Sequence, residues 1–277
     1  MRKLALAAAV AAVFASPVVV STAHAQAAAA PASDHTFTGN MTIGTDYRFR
    51  GVTQTYKGPT IQGGVDYSHS SGFYLGNWNS NVSGLQYSNG NSIEMDFYGG
   101  WKKSFGDFGL DLGVLYYYYD TARWAGTGGT FGKYNNGELY IGGSWKWISA
   151  KYSYAVTDYF GLNGNLGAAT FNRDNTATLG NNGGSKGTQY FQVDANYEFA
   201  PKWNVIGHIG HTTVKNYGAL SYTDYKLGVT YDLSGWILGA ALVDTDAKKQ
   251  WYYVTSAAKG TKSSADTTVV LTLSKSF

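Results

Sequence analysis

In TTVVLTLSKSF, the last eleven residues, side chains alternate between two characters. Thr267, Val269, Leu271, Leu273, Lys275 and Phe277 share a mostly apolar parity, while Thr268, Val270, Thr272, Ser274 and Ser276 share a small, polar one. A period of two is that of a β-strand, and unlike faces mean unlike surroundings on its two sides. A secreted sandwich fits this pattern as well as a membrane barrel does. What separates them is whether the other strands repeat it at membrane-spanning length, in even number, with both chain ends on one side.

The sequence opens MRKLALAAAVAAVFASPVVVSTAHA, with Arg2 and Lys3 before an apolar run and Ala23-His24-Ala25 as a cleavage site. These features predict a secretory signal peptide over residues 1–25, a flexible lead over 26–35 and the fold proper over 36–277. Without the signal, 19 basic residues face 18 acidic ones, a net charge of +1 that implies no nucleic-acid partner. The absence of cysteine excludes disulfides, thiol ligands and lipidation beyond the signal. After the signal no run of 18 apolar residues occurs, which excludes helical spans. Alternating strands would hide a membrane face from such an average.

Read in order, FTGNMTIGTDYRFRG places Phe37, Met41, Ile43, Tyr47 and Phe49 on one face and Asp46, Arg48 and Arg50 on the other. The pattern recurs in TIQGGVDYSH, SIEMDFYGGWK, FGLDLGVLYYYY, GELYIGGSWKW, SAKYSYAVT, QYFQVDANYEF, WNVIGHIGH and DYKLGVTYDL. In FYLGNWNSNV the parities compete, and Tyr74, Trp78 and Val82 are assigned outward; the small residues of WILGAALV leave its facing open. About twelve strands emerge, joined alternately by short turns, near 70–72, 103–107, 147–149, 200–202 and 232–235, and by connections that are generally longer. The prediction is an all-β, closed antiparallel transmembrane barrel with short periplasmic turns and longer extracellular loops. Trp101, Trp145, Trp147, Trp203 and Trp236 sit beside the short turns and, with Phe277, are expected to form a periplasmic aromatic girdle.

TDYRFRGVTQT, PTIQGGVDYSHSSGFYLGNWNSNVS and the closing LTLSKSF resemble the TorF porin family, Gram-negative envelope proteins of poorly known function. The resemblance spans the mature chain and implies an outer-membrane barrel with a pore, without supplying a substrate or functional residues. Phe277 fits the terminal signal of chains handed to the barrel-assembly machinery. Lys275 departs from the apolar residue usual at its position, although near an interface its stem can snorkel.

If one face of each strand meets outer-membrane lipid, the other lines a lumen. Its expected charges are Asp46, Arg48, Arg50, Asp66, Glu94, Asp96, Lys102, Asp111, Glu138, Lys146, Lys151, Asp194, Glu198, Asp224, Lys226 and Asp232, ten acids and six bases. Barrels of about eight strands are filled by side chains, whereas 16–18 leave a channel, so twelve predicts a narrow, mixed-charge passage with a mild preference for cations. The same charges could instead pair across the interior and plug it. Arg48 and Arg50 could grip an anionic group, or pair with Asp46 or other wall carboxylates. The connection from Asp158 to Gly187 suits either an inward constriction or a disordered exterior loop. His208 and His211, three apart on one strand, fall on opposite faces, which spoils a shared metal site, and no G-x-S-x-G occurs. The expected role is passive diffusion of small hydrophilic solutes, with no catalysis, metal or tightly bound cofactor; the alternative is a structural or adhesin-type barrel without an open pore.

Overall fold

The computed structural model describes residues 33–87, 91–126, 129–170, 172–256 and 260–277. The expected signal peptide lies outside the described residues, as does all of the lead except its last three positions. Twelve antiparallel strands close into one barrel. They are β1 (His35–Gly44), β2 (Thr60–His69), β3 (Phe73–Asn81), β4 (Ile93–Phe105), β5 (Phe108–Tyr118) and β6 (Asn136–Trp145). They continue with β7 (Ile148–Ala155), β8 (Gln189–Ala200), β9 (Trp203–Thr213), β10 (Tyr222–Leu233), β11 (Trp236–Thr245) and β12 (Thr268–Ser276). Each pairs with its chain neighbours, and β12 closes on β1, with Asn40 opposite Ser276 and Gly44 opposite Thr272. Phe277 extends that seam through reciprocal backbone bonds with Gly39 at 2.9 and 3.1 Å.

Burial is inverted relative to a water-soluble protein. Ile61, Val65, Val114, Leu139, Phe191, Leu227 and Val269 are exposed on the outer face, while Thr42, Gln62, Glu94, Asp96, Glu138, Lys151, Asp194 and Asp224 are buried inside. A continuous apolar exterior of this extent marks a surface made for something other than water. The five short turns leave only two or three residues between strands, as at Gly106–Asp107 and Ser234–Gly235. At the other end lie the long connections, which carry two small ribbons (Arg123–Gly126 with Gly129–Lys133, and Tyr253–Ser256 with Gly260–Ser263) and a helix α1 (Gly164–Ala169) capped by the side chain of Asn163.

Two assignments of facing change. On β3, Phe73 and Leu75 point outward, whereas Tyr74 and Trp78, with Val82 just past the strand's end, are buried inside. Along the first strand, regular pairing stops at Gly44, and Tyr47 and Phe49, expected outside, turn inward with the charged residues between them. The open case, β11, resolves with Leu238 and Leu242 outward and Ile237 and Val243 inward.

Trp145, Trp147, Trp203 and Phe277 are exposed, and Trp101 and Trp236 half-buried, all at the short-turn end. Three of them meet outward aromatic neighbours: Trp145 stacks on Phe108, Trp147 meets Tyr197 edge-on, and Trp203 lies tilted against Tyr231. Lys275 lies on the same face, its Nζ 4.8 Å from the centre of the Trp236 ring, so the departure noted at this position is met by a cation–π contact. In single-tryptophan variants reconstituted in bilayers, shallow brominated lipids are expected to quench Trp203 strongly and to leave Trp78, which is 2% exposed, unquenched. Equal quenching of both would remove the rim assignment.

Candidate functional site

The first long connection does not stay outside. Arg48–Phe49 pairs with Val52–Thr53 in a short hairpin whose two central residues, Arg50 and Gly51, have φ of +46° and +78°. Positive φ at both positions is the type I′ geometry, which suits the twist of paired strands. Gly51 is required twice over, because a Cβ there would also strike Thr245 and Asp224 in the wall. Arg50 adopts the left-handed conformation despite its side chain, and its partners show what holds it there.

Arg50 Nη2 donates to both oxygens of Glu138 on β6, at 2.9 and 2.8 Å, and Nη1 donates to the Tyr159 hydroxyl at 3.1 Å. Its guanidinium carbon stands 4.0 Å from the centre of the Tyr190 ring on β8. Tyr47 reaches the opposite wall, donating to Glu94 at 2.7 Å and packing edge-on against Trp78. Phe49 meets Tyr117 and Phe160. This inner hairpin therefore spans the lumen and touches walls on both sides. Its base is tied by Asp46, which accepts from Arg48 Nε at 2.6 Å and from Thr53 and Thr55. Arg48 Nη1 donates to the carbonyls of Gly51, Ser264 and Asp266. On the outside, Lys57 and Lys249 grip Asp266 at 2.7 and 3.0 Å; although partial burial works against it, their hydrogen bonds hold this carboxyl at about 2.

The hairpin divides the interior into two unlike parts. Towards β3–β6, carboxylates are matched by tyrosine hydroxyls more than by bases. Glu94 accepts from Tyr47 and Tyr119, Asp111 from Tyr74, and Asp66 from Tyr98. Tyr74 in turn bonds Tyr140, and Tyr87 bonds Gln54 of the connection. Tyr47, Trp78, Tyr87, Leu115, Tyr117, Tyr119, Tyr134 and Tyr140 fill this side as one packed cluster. A phenol donating to a carboxylate is a strong, charge-assisted bond, so a tyrosine-rich wall can bury acids without a base for each.

Towards β8–β12 the wall is built of smaller residues, among them Gly239, Ala240, Ala241, Thr272 and Ser274, and a cavity of about 190 Å³ remains. Its charged lining comprises Asp46, Asp194 and Asp224 against Arg48, Arg50, Lys151 and Lys226, with His208. His208 bridges two of the acids, Nδ1 2.7 Å from Asp194 and Nε2 2.8 Å from Asp224, and Tyr190 joins the group by bonding Asp224. The Tyr190 ring lies over Gly210, where a Cβ would leave it no room.

Of the charges expected in the lumen, Asp46, Arg48, Arg50, Glu94, Asp96, Asp111, Glu138, Lys151, Asp194 and Asp224 are buried, and Asp66, Lys102 and Lys226 are half-buried on the inner face. Three lie at the short-turn end, Lys146 in a turn and Glu198 and Asp232 in the last residues of their strands. Lys146 is exposed at φ +54° with its Nζ over Trp145, so it is corrected from lumen to rim. Exposed Glu198 accepts from the Lys202 amide, and Asp232 accepts from the Gly235 amide. The alternative pairing of the arginines is the one observed: Arg48 with Asp46, Arg50 with Glu138. Among the described residues of the 158–187 connection, the start bends inward, Phe160 packing on Phe49, Tyr117 and Tyr119, while Leu162 and Leu166 build an outer cover with Val214 and Tyr217. His208 went unselected because its partners come from two neighbouring strands and are visible only once register is known; His211, as expected, faces the other way.

Residues 28–277 match the model of a family described as bacterial protein of unknown function (Gcw_chp). No curated protein matches the sequence. The fold is similar to solved porins. One is the KdgM porin in complex with disordered oligogalacturonate, at 9% identity and TM-score 0.49, covering 87% of this chain and 99% of that one. A porin refined at 1.8 Å is 12% identical with TM-score 0.40, covering 88% and 100%. The OmpF of Salmonella typhi in complex with daunomycin is 8% identical with TM-score 0.39, covering 88% and 97%.

Proposed function

The chain belongs to the Gcw_chp family of bacterial proteins of unknown function, and we propose that it is an outer-membrane, porin-like channel through which small hydrophilic solutes diffuse. One observation carries this reading: a closed wall, apolar outside and charged inside, keeps a cavity lined by charged residues under an inward hairpin instead of packing solid. Backbone groups in lipid must all be paired, which a closed barrel achieves. The resemblance to TorF porins supports the same assignment. Export through a signal peptide ending at Ala25, and assembly through the strand that ends in Phe277, complete the proposal. The mature barrel carries no catalysis and no cofactor in this reading.

The hairpin gives the second reading its footing, since a loop bonded to walls on both sides also suits a structural barrel that passes nothing. Purified protein inserted in planar bilayers is expected to give stepwise conductance in KCl, smaller than that of 16-stranded porins because of the narrower wall. A correctly folded barrel that stays silent would leave the structural reading standing alone.

A further inference from the structure

Counted over the whole lumen, acids outnumber bases, yet they are not where the space is. Six of the ten carboxylates are used up elsewhere: Glu94, Asp111 and Asp66 by tyrosines, Glu198 and Asp232 by turn amides, and Glu138 by Arg50. Within the cavity, Asp46 is saturated by Arg48, Thr53 and Thr55, and Asp194 and Asp224 share the ring of His208. Basic groups there are less completely used. Arg48 is buried, its side chain 5% exposed, and its Nη2 has no hydrogen-bond partner among the described residues. Lys226 lines the same cavity and forms no ion pair there among those residues. Thr230, another lining residue, has a buried hydroxyl without a hydrogen-bond partner among the described residues.

A guanidinium nitrogen buried without an acceptor is a costly arrangement that an anionic oxygen relieves, and a carboxylate is the acceptor whose geometry fits it best. We infer that this cavity is a binding station for a small hydroxylated carboxylate, with Arg48 Nη2 and Lys226 receiving the carboxylate and the hydroxyl-bearing wall at Thr230, Thr272 and Ser274 receiving its hydroxyls. This inference rests on the channel reading and gives it a solute class. It also reverses the charge preference expected from the sequence: the open part of the passage favours anions. A volume of about 190 Å³ limits the occupant to a molecule of sugar-acid size.

The probe is gluconate, with sorbitol as the neutral control, titrated calorimetrically into the detergent-solubilised barrel so that binding does not depend on conduction. Gluconate is expected to bind and sorbitol to bind at least tenfold more weakly. Lys226→Gln, which disturbs no bond of the hairpin, is expected to weaken gluconate about tenfold, the loss of one charge-assisted contact. Arg48→Lys, which keeps the charge but loses the forked donor, is expected to do the same, with heat-modifiable mobility confirming the fold. In bilayers under a KCl gradient, the reversal potential is expected to move towards that of chloride and to retreat in Lys226→Gln. Equal affinity for gluconate and sorbitol, or unchanged affinity in both variants, would overturn the station while leaving a conducting barrel a channel. Binding by a silent barrel would uphold the station and overturn only the channel.

Discussion

Glu138→Ala is expected to cost the folded barrel about 3–5 kcal/mol and to raise its conductance several-fold. The size follows from what is left behind. Arg50 and Glu138 have side chains only 6% and 3% exposed, and the carboxylate takes two hydrogen bonds from one guanidinium nitrogen. Truncating one partner leaves the other charged and buried, with the Tyr159 hydroxyl and the aromatic faces of Phe49, Tyr159 and Tyr190 beside it but no carboxylate. The left-handed backbone of Arg50, a conformation costing roughly 1–2 kcal/mol for residues with a Cβ, then loses the contact that holds it. The hairpin is therefore expected to leave the wall, widening the path it crosses. Replacing both residues with methionine separates the two effects, since an apolar pair of similar volume is expected to restore most of the stability. Chemical unfolding in micelles and single-channel recording on the same variants give both numbers. A destabilised Glu138→Ala barrel of unchanged conductance would show that the hairpin is a brace and not the restriction.

The barrel was readable in the sequence because alternation reports directly on a wall with different surroundings on its two faces, and because its short turns leave no room for other connections. The same alternation concealed the hairpin. TDYRFRG keeps its period of two through Phe49, since the hairpin is itself extended chain; only the Arg50-Gly51 pair marks the reversal, and it lacks the asparagine or aspartate usual at such turns. On β3, aromatic character did not identify the outer face, because one side of this lumen is packed with tyrosine and tryptophan. Trp78 belongs to that packing and Leu75 to the exterior, which the pattern alone weighed wrongly. Lys146 kept the inward parity of Ser144 on paper, but the chain has already begun to turn there. His208 and the uneven placement of charges depend on register across strands, so no reading of single segments could have found them.

Leu227→Arg provides the strongest test of the exterior. Leu227 is 65% exposed near the middle of β10, opposite Leu242 on one side and Gly207 on the other. If this face meets lipid, an arginine there is near the midplane, and the expected loss is about 2–4 kcal/mol measured by urea titration of folding into phospholipid vesicles. If the face met water, the same change would remove an exposed apolar side chain and be neutral or favourable. The two environments thus predict opposite signs, which few substitutions can offer. Lys226, the preceding residue, points inward, and Lys226→Gln is expected to change stability little while altering selectivity. A pair of adjacent positions, one sensitive to added charge and the other to its removal only in function, is the behaviour of a wall one residue thick between lipid and an aqueous interior. Tolerance of arginine at Leu227 would remove the membrane, and with it the channel, whatever the cavity binds.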